Sequence, residues 1–600
     1  MIIIFGGTTE GRLAASVLDE AGSPFFYSTR GALQQVEGKN MTRHTGAMDA
    51  DAMIAFCREN GIKCIVDAAH PFAVGLHEAV AQTSADTGIP VVRLERMYPP
   101  RIVADNVVWC DDFDDALVRL ESEGIESLFA LTGVQTIRRL KPYWSRHRCV
   151  FRILDREESR DLAQSEGFPA DCLVKYSDGG QLADLIREIS PQALITKESG
   201  ESGGFEEKYE AAREFGLKLF VVKRPVLPSG FVTVTGRHGL RRAVEKLCPG
   251  FFPLRSGFTT GACATAAAKA AITALVTGEA VNSVEFSLPD GELTSMEISA
   301  VEISENSATA QVVKDGGDDP DVTHGKIIEV EVRLSGHDGI VFHAGEGVGT
   351  VTLPGLGLAP GEPAINPVPR KMIATEIRKV YDGGGDVTVS VPGGRELALR
   401  TFNPKLGIEG GISIIGTSGI VRPFSSEAFV ESLRREMEVA VAIGCTHIVV
   451  NSGARSERFV KALYPEYPPQ AFIHYGNAIG ETMKIASQLG IGQLTIGLMI
   501  GKAVKLAEGH TDTHSGNVVM NRNFLIGIAR EAGCSADAVE KIAGIRLARE
   551  LWTVLDGDDA RRFFSRILEL CHAECRRLLT RGRLEAVLVS DSGEIPYRME

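Results

Sequence analysis

The sequence predicts a multidomain chain of α/β and α+β class, and three observations support this prediction. Its 600 residues correspond to about four domains of roughly 150 residues each. In the first 247 residues, short β-rich segments alternate with helical patterns, which is typical of parallel sheets with helical crossovers. From residue 283 to 333, apolar and polar residues alternate without helices, which indicates an antiparallel or mixed sheet.

Composition excludes several classes of protein. Lys and Arg number 64 against 78 Asp and Glu, so the formal net charge is −14, which argues against a nucleic-acid binder but allows a local basic pocket. The N-terminus lacks a basic signal-peptide region, and we find no run of about 18 apolar residues, so we expect no membrane span. The eleven cysteines are scattered, and the pair Cys571 and Cys575 lacks a second ligand pair for zinc. We therefore expect free thiols, no metal and a reducing cytoplasm.

The N-terminal half divides into two predicted α/β lobes, residues 1–125 and 126–247. In the first lobe we expect strands at 2–5, 25–28, 64–67 and 90–94, and helices at 12–20, 49–60 and 73–87. In the second lobe we expect strands at 128–131, 149–154, 193–196 and 218–222, and a helix at 206–215. A cleft between two such lobes is a natural place for a ligand.

The turn after the first predicted strand is rich in glycine and threonine. Its residues are Gly6, Gly7, Thr8, Thr9 and Glu10. Where a parallel strand runs into a helix, such residues present backbone N–H groups and hydroxyls to a phosphate. The alternative is a tight turn capped by threonine. The second strand leads into Ser28 and Arg30, and an arginine there favours the 2′-phosphate of NADPH. Together these features predict that the lobes are Rossmann-like and that the first binds NADPH.

Two further strand ends carry polar residues. His70 follows the strand at 64–67, so it would face the same edge of the sheet, although a lone histidine is often structural. The strand at 193–196 leads into Lys197, Ser199 and Gly200, with Lys208 on the next helix. This pattern indicates an anion site contributed by the second lobe, and the alternative is a surface loop with solvated charges.

These motifs, in this order, resemble precorrin-6A reductase over residues 1–247. They are Gly-Gly-Thr-Thr-Glu, Asp-Ala-Ala-His-Pro-Phe-Ala, Arg-Leu-Glu-Arg, Thr-Lys-Glu-Ser-Gly and Lys-Tyr-Glu-Ala-Ala-Arg. The resemblance implies an NADPH-dependent reductase that acts on corrin-ring precursors of cobalamin. His70 and Lys197 are then the candidate proton donors, and Ser199, Gly200 and Lys208 are candidates to bind the substrate.

The second half begins after a break rich in proline and glycine at 248–253. We expect an α+β domain at 254–398 and an α/β domain with a helical C-terminus at 399–600. Thr259 and Thr260 precede an alanine-rich helix predicted at 264–275, whose small side chains allow close approach of another backbone or of a flat ligand.

Several loops of this half concentrate polar residues. The loop at 314–325 has four aspartates in seven residues, and because its spacing is not that of an EF-hand we favour carboxylate–backbone hydrogen bonds over a metal. A loop with three prolines presents Asn366 and Arg370, and arginine can clamp a carboxylate with two bonds. The apolar run at 412–415, with glycines on both sides, is interpreted as a buried strand between ligand loops.

The C-terminal part continues with a predicted helix at 426–443 and strands at 447–451 and 493–499. His510 and His514 have the spacing of a metal-binding pair, but no glutamate general base lies between them in a His-Glu-x-x-His arrangement, so we expect no metal there. The remaining chain, to about residue 580, has mostly amphipathic helical patterns.

Four motifs of this half resemble the cobalt-precorrin-5B C-1 methyltransferase family over residues 254–590. They are Arg-Ser-Gly-Phe-Thr-Thr-Gly-Ala-Cys-Ala, Asp-Asp-Pro-Asp-Val-Thr-His-Gly, Gly-Glu-Pro-Ala-Ile-Asn-Pro-Val-Pro-Arg and Gly-Thr-Ser-Gly-Ile-Val-Arg-Pro. The resemblance implies S-adenosylmethionine as the methyl donor, and the candidates to contact it are Gly345, Gly347, Gly349, Gly410, Gly411, Gly416 and Thr417. The candidates to hold the substrate are Thr259, Thr260, Asn366, Arg370, Arg422 and Lys502. Met499 stands where members often have a histidine, and His514 is the candidate to replace it.

The two resemblances together imply a bifunctional enzyme. It would methylate cobalt-precorrin-5B to cobalt-precorrin-6A and then reduce that product to cobalt-precorrin-6B with NADPH. Two alternatives stay open: the N-terminal half is a nucleotide sensor without turnover, or the reductase acts on metal-free precorrin-6A. The expected partner is a corrinoid polycarboxylate, neither nucleic acid nor a membrane is expected, and homo-oligomerisation stays open.

Overall fold

The computed structural model describes residues 1–31, 36–98, 100–176, 182–200, 204–516 and 518–600. The chain divides into two compact units. Unit 1 consists of Met1–Arg255 with Asp290–Thr294, and unit 2 consists of Ser256–Pro289 with Ser295–Glu600. All eleven cysteines lie in the described ranges and are free thiols.

Unit 1 begins with alternating strands and helices. Its elements up to residue 98 are β1 (Ile2–Phe5), α1 (Thr9–Asp19), β2 (Phe25–Thr29), β3 (Met41–Thr45), α2 (Ala50–Glu59), β4 (Cys64–Asp67), α3 (Val74–Thr87) and β5 (Val91–Glu95). The apolar run of β1 is explained by burial on both faces of a parallel sheet. Ile2 and Ile4 face one hydrophobic core, and Ile3 and Phe5 face another.

The next part of unit 1 repeats this alternation. Its elements are β6 (Val107–Cys110), α4 (Phe113–Ser122), β7 (Ser127–Ala130), α5 (Lys141–Trp144), β8 (Arg148–Leu154), α6 (Glu157–Ser165), β9 (Leu173–Tyr176), α7 (Leu182–Ile189), β10 (Ala193–Lys197), α8 (Phe205–Glu214), β11 (Lys218–Val222), β12 (Val232–Thr235) and α9 (Gly236–Leu247).

The strands of unit 1 form two parallel sheets, and the chain crosses between them twice. The first sheet has the order β12-β5-β4-β1-β2-β3, and the second has the order β6-β11-β10-β7-β8-β9. β6 pairs with β11, so the second sheet begins before the junction predicted near residue 125, and β12 returns to pair with β5 in the first sheet. We did not predict either strand, because both are short and partly exposed and their pairing partners are distant in sequence.

Unit 2 begins with a helix packed on a mixed sheet. The elements from residue 256 to 425 are β13 (Gly257–Phe258), α10 (Thr260–Thr277), β14 (Ser283–Ser287), β15 (Leu293–Glu297), β16 (Ala300–Ile303), β17 (Ser307–Val313), β18 (Ile327–Leu334), β19 (Ile340–Ala344), β20 (Thr350–Val351), α11 (Pro367–Arg378), β21 (Gly385–Ser390), α12 (Gly394–Ala398), β22 (Ile408–Glu409) and β23 (Ile420–Val421). The main sheet has the order β16-β17-β18-β21-β19, with only the β19–β21 pair parallel. Of the two predicted alternatives, an antiparallel or a mixed sheet, the structure has the mixed sheet.

The alanine-rich helix α10 lies in the core of this sheet. It is long and apolar enough to cross a membrane by length and composition alone, which the sequence reading did not anticipate. However, 72% of that segment is buried inside the protein, and its alanines pack against the strands. A core helix accounts for this apolarity.

The last part of unit 2 is a second sheet with helices. Its elements are α13 (Ser426–Ala442), β24 (His447–Asn451), α14 (Ala454–Lys461), β25 (Phe472–His474), α15 (Ile479–Gln488), β26 (Gln493–Met499), α16 (Ile500–Ala507), α17 (Arg522–Glu531), α18 (Ala536–Gly544), α19 (Leu551–Val554), α20 (Gly557–Leu578), β27 (Arg583–Val589) and β28 (Tyr597–Met599). The order is β25-β24-β26-β27-β28, parallel except for β28. The chain reverses its direction of travel across the sheet between β24 and β26, where open α/β sheets commonly bind ligands.

The strand predicted at 412–415 does not form as a continuous element. Ile412 and Ile414 are buried, but each makes only an isolated bridge, to Val348 and Ile365. The Ile412 backbone exchanges hydrogen bonds with Gly347 and Gly349, and the Ile414 backbone does so with Ala364 and Asn366. Because the two residues pair with different segments, no continuous strand forms.

Candidate functional site

The turn between β1 and α1 is held by its own side chains. Thr8 caps α1, because its hydroxyl accepts a hydrogen bond from the Gly11 N–H at 3.0 Å. The Tyr27 hydroxyl accepts one from the Gly7 N–H at 3.2 Å. A Cβ on Gly6 would lie 2.2 Å from the Tyr27 hydroxyl, whereas Gly7, at φ +100°, has no atom within 4 Å of that position. The threonine cap is therefore present, and Gly7 alone leaves open space beside the backbone.

A buried ion-pair network fixes the loop after β4. Asp67 accepts hydrogen bonds from His77 Nδ1 at 2.6 Å and from Arg93 at 2.9 Å, and all three side chains are almost fully buried. His77 Nε2 contacts the His70 carbonyl oxygen at 3.1 Å, and Arg93 also donates to the Ala69 carbonyl at 2.9 Å. The network holds the backbone that carries His70.

The structure brings His70 and Lys197 together at the carboxyl ends of the strands. Burial, with the charges of Lys197 and Arg96, lowers the pKa of His70 to about 4, so the ring is neutral at pH 7. Burial lowers the pKa of Lys197 to about 8. The Lys197 ammonium lies 5.2 Å from the centre of the Phe72 ring, next to the loop of His70.

Arg96 joins the two lobes, and the sequence reading assigned it no role. Its guanidinium forms an ion pair with Glu10 at 3.0 Å and donates to the Ser199 carbonyl at 3.0 Å. Arg96 directly follows the carboxyl end of β5, and this position could have identified it as a candidate site residue from sequence. Glu10 and Ser199 are thus held by Arg96 beside His70.

The loop after β10 adds positive charge. Gly200, at φ +66°, lies close to the loop after β5, since its Cβ would be 3.0 Å from the Met97 carbonyl. Burial, with the nearby Arg152 and Lys197, lowers the pKa of Lys208 to about 8. Residues 201–203 of this loop lie outside the described residues. Lys197, Lys208 and Arg152 therefore form a cationic group in the second lobe.

The end of β2 carries the residues predicted to select the nucleotide. Ser28 is buried, and its hydroxyl lies 3.2 Å from His44 Nδ1. Arg30 is exposed just beyond the strand. β2 neighbours β1 in the sheet, so Arg30 and the Gly7 turn belong to one edge.

In unit 2, the N-terminus of α10 is bound by another loop of the chain. The Thr259 hydroxyl accepts from the Ala262 N–H at 3.2 Å, and the Thr260 hydroxyl accepts from the Ile415 N–H at 2.9 Å. A Cβ on Gly416 would lie 2.2 Å from the Thr259 hydroxyl. Both threonines predicted to hold substrate therefore hold the 415–416 segment.

The aspartate-rich loop forms the predicted hydrogen bonds to the backbone. Asp315 accepts from the Gly317 N–H at 2.9 Å, and Asp321 accepts from the Thr323 N–H at 2.8 Å. Asp321 also forms an ion pair at 2.8 Å with Lys314, which is buried. The carboxylates shape this loop.

The glycine loops of unit 2 pack against each other. A Cβ on Gly347 would lie 2.1 Å from the Val391 carbonyl oxygen, and one on Gly411 would lie 2.2 Å from the Gly347 carbonyl oxygen. Gly345 and Gly349 are similarly enclosed, whereas Gly410 has no atom within 4 Å.

A cleft of about 450 Å³ lies beside these loops. Its lining includes three carboxylates, Glu346, Glu396 and Glu409, together with Arg395. The volume falls within the usual range for small-molecule sites, and the excess of carboxylates suits a cationic ligand.

Two arginines predicted to hold substrate differ in their surroundings. Arg370 donates to the carbonyls of Ile365 and Pro363 at 2.7 and 3.1 Å and pairs with Glu362 at 3.1 Å. It therefore fixes the proline-rich loop that precedes α11, whose N-cap is Asn366. Arg422 is partly exposed after β23, and Thr417 is exposed in the loop before that strand.

Lys502 lies at the carboxyl edge of the second sheet of unit 2. Its ammonium donates to Asn477 Oδ1 at 2.7 Å and to the Gly476 carbonyl, and burial lowers its pKa to about 8. His514 is exposed and lies outside the helices, one residue after Thr513, whose N–H donates to the Asn477 carbonyl at 3.1 Å. Asn477, which the sequence reading missed, thus connects both segments.

Comparisons with known proteins agree with this division. The family model described as Precorrin-6x reductase CbiJ/CobK matches residues 1–245, the CbiD model matches 250–423, and the CbiD C-terminal domain matches 512–600. The cobalt-precorrin-5B C(1)-methyltransferase of Prosthecochloris aestuarii is 43% identical over 56% of this chain and 94% of its own length. That of Geobacillus kaustophilus is 42% identical over 54% and 88%.

Among solved structures, a CobK precorrin-6A reductase is 22% identical and covers 41% of this chain and 97% of its own, with a TM-score of 0.35. The family assignment depends on the sequence matches. They show that the chain belongs to the cobalt-precorrin-5B C(1)-methyltransferase family and carries, in the same polypeptide, a precorrin-6x reductase region, so that it joins two enzyme families of cobalamin biosynthesis.

Proposed function

We propose that the chain catalyses two consecutive steps of corrin-ring synthesis. Unit 2 would transfer a methyl group from S-adenosylmethionine to carbon 1 of cobalt-precorrin-5B. Unit 1 would reduce the product, cobalt-precorrin-6A, to cobalt-precorrin-6B with NADPH. The observation that carries this proposal is the joint match of one chain to both families, 94% of a methyltransferase's length and the reductase model over residues 1–245.

The residues of unit 1 suit NADPH. Gly7 leaves open space at the N-terminus of α1, and Arg30 is exposed at the adjacent strand end, where a 2′-phosphate is commonly bound. When bound, NADPH supplies a hydride. Reduction of the ring also requires a proton, and we assign it to the Lys197 ammonium, since its pKa is about 8 while that of His70 is about 4. His70 would orient the substrate as a neutral ring.

The cations of unit 1 suit a polycarboxylate. Lys208 lies near Lys197 and Arg152 and also near Glu207, so these four side chains carry a net positive charge that carboxylate arms of the ring would offset. The same reasoning explains how a chain with net charge −14 binds a polyanion.

The cleft of unit 2 suits a sulfonium. Glu346, Glu396 and Glu409 surround a volume of about 450 Å³ beside Gly345, Gly347 and Gly410. S-Adenosylmethionine supplies the methyl group when bound, and the carboxylates would hold its positive charge. Substrate arms would be held by Arg422 and Lys502.

The test is anaerobic incubation of the full chain with cobalt-precorrin-5B and S-adenosylmethionine, with and without NADPH, followed by mass spectrometry. We expect one added methyl group in both samples and two further hydrogens only with NADPH. Methylation without reduction would reject the reductase assignment and favour a nucleotide sensor. Absence of methylation by folded protein would reject the assignment of unit 2. Parallel incubation of the reductase step with metal-free precorrin-6A decides the metal preference.

A further inference from the structure

A four-residue turn between β23 and α13 has an unusual residue at its third position. We call residues 422–425 the Phe424 turn. The Ser425 N–H donates to the Arg422 carbonyl at 3.3 Å, and Pro423 occupies the second position. Phe424 has a φ of +53°. A turn with proline second and positive φ third normally has glycine or asparagine at that third position.

A phenylalanine is energetically unfavourable at position 424 for two reasons, its backbone conformation and its exposure. In the part of the chain that the structure describes, only Phe424 and Ser190 have positive φ without being glycine. A bulky side chain is rare in this conformation. The Phe424 ring is also 73% exposed, so folding gains little from burying it. Residues held in such conformations concentrate at ligand sites.

The surrounding residues keep the turn rigid. The Phe424 backbone N–H lies near the carboxylate of Asp319, in the aspartate-rich loop. The Ser425 hydroxyl caps α13 by accepting from the Ala428 N–H at 3.2 Å. The exposed ring therefore projects from a turn that is closed by the Ser425–Arg422 hydrogen bond and continues into the cap of α13.

An arginine and a second aromatic ring lie close to Phe424 in sequence, and a lysine is connected to that second ring through Gly476. Arg422 opens the turn, and no hydrogen bond or ion pair occupies its guanidinium among the described residues. Phe429, 39% exposed in the first turn of α13, lies against Gly476, because a Cβ there would be 2.8 Å from its ring. The Gly476 carbonyl accepts from Lys502. Exposed aromatic rings with cations beside them suit a flat ligand that has an apolar face and a carboxylate rim.

We propose that the Phe424 ring packs on the face of the corrin macrocycle while Arg422 binds one of its carboxylate arms. The inference rests on the proposed function, which supplies the macrocycle as substrate. It assigns the exposed ring and the backbone conformation of Phe424 to substrate binding by the methyltransferase.

The test compares Phe424→Gly with Phe424→Tyr in the full chain. The first probe is cobyrinic acid, a stable cobalt corrin polycarboxylate, in equilibrium dialysis, and the second readout is the KM for cobalt-precorrin-5B. We expect Phe424→Gly to raise the dissociation constant and the KM about fivefold with kcat nearly unchanged, and Phe424→Tyr to stay near wild type. Phe424→Gly should melt no lower than wild type, because glycine tolerates positive φ.

Phe402→Ala is the matched control. Phe402 is also an exposed phenylalanine, at 53%. It lies three residues before Lys405, which forms an ion pair with Glu436. Glu436 is eleven residues along α13 from Ser425, so Phe402 belongs to a different region from the Phe424 turn. Unchanged cobyrinic acid binding and KM in Phe424→Gly, or an equal effect in Phe402→Ala, would overturn the inference. A wild-type chain that binds cobyrinic acid through Phe424 but forms no methylated product would overturn the proposed function alone.

Discussion

Glycine stands at both predicted cofactor sites, but Gly7 of unit 1 and Gly347 and Gly411 of unit 2 serve different purposes. In unit 1, Gly7 has no atom within 4 Å of an added Cβ. In unit 2, a Cβ on Gly347 or Gly411 would lie 2.1 or 2.2 Å from a carbonyl oxygen. The first glycine leaves space for something outside the chain, and the others let two segments of the chain cross. A glycine pattern cannot separate these cases, because both require that a side chain be absent.

The difference changes which residues should recognise each cofactor. In unit 1 the turn itself remains the proposed phosphate site. In unit 2 the glycines shape the wall of the cleft, and we propose that Glu346 and Glu409 make the selective contacts with the sulfonium. Four substitutions separate residues that face a ligand from residues that face the chain.

Replacing Gly347 with alanine should have the largest effect. Its φ is +69°, and the new Cβ would meet the Val391 carbonyl, so we expect a loss of about 4 kcal/mol in the free energy of unfolding. Urea denaturation followed by circular dichroism measures it. Gly410→Ala is the control, at φ +83° with no atom within 4 Å, and should cost about 1 kcal/mol. Equal losses would show that the crossing tolerates a side chain.

Lys197→Met should affect turnover without affecting folding. We expect substrate-dependent NADPH oxidation to fall about 100-fold, because a proton donor is lost, while methyl transfer continues. In the wild type the pKa of Lys197 is about 8, so the rate should fall as pH rises through 8 and the ammonium loses its proton.

Two variants check this assignment. Lys197→Arg keeps its charge at high pH, so its residual activity should lose the alkaline decline. Lys208→Met removes a neighbouring cation and should raise the KM more than it lowers kcat. An alkaline decline that persists in Lys197→Met would assign it to another group.

Much of the fold could be predicted from local pattern. The strands at Cys64–Asp67 and Gln493–Met499 have the predicted bounds, because strands buried on both faces appear as continuous apolar runs. β6 and β12 could not be predicted in the same way, since their stability comes from partners distant in sequence. The apolar residues at 412–415 suggested a strand, but Ile412 and Ile414 pair with two different distant segments, which local sequence does not reveal.

The candidate site shows the same limit. Residue type and strand-end position singled out His70 and Lys197 separately, and the structure places the two side chains close enough for their charges to interact. They did not reveal that Arg96 links the lobes, because its partners Glu10 and Ser199 are 86 and 103 residues away. Arg370 had the right chemistry for a carboxylate, but its donors are directed to its own loop. Sequence gives the chemistry of a side chain more readily than the identity of its partner.

Arg30 and Arg370 have the same side chain, but we propose that Arg30 binds a ligand whereas Arg370 binds its own loop. Arg30→Ala should raise the KM for NADPH about tenfold and leave that for NADH unchanged, because a contact to the 2′-phosphate is lost. Arg370→Ala should instead destabilise the chain by about 1 to 3 kcal/mol, since buried acceptors lose their donor. Steady-state kinetics and urea denaturation on both variants measure these effects. Loss of stability in Arg30→Ala, with unchanged nucleotide preference, would contradict the prediction.

The smallest expected effect concerns a position where glycine would fit but is absent. Ser190 is exposed at the end of α7, with φ +48°, and its N–H donates to the Ile186 carbonyl at 2.8 Å. Helices commonly end in glycine there, so Ser190→Gly should stabilise the chain by about 0.5 kcal/mol, as relief of strain exceeds the added entropy of the unfolded state. Thermal unfolding measures it, and Ser165→Gly, at the last residue of α6, is expected to destabilise the chain because it also removes the hydrogen bond to the Leu162 carbonyl. Ser190 shares the backbone conformation of Phe424 without its exposed ring, and Ser190→Gly measures the cost of that conformation less the exposed hydrogen bond that the Ser190 hydroxyl donates to the Arg187 carbonyl at 3.0 Å. If Ser190→Gly were destabilising, the stability of Phe424→Gly could no longer be attributed to relief of the same strain.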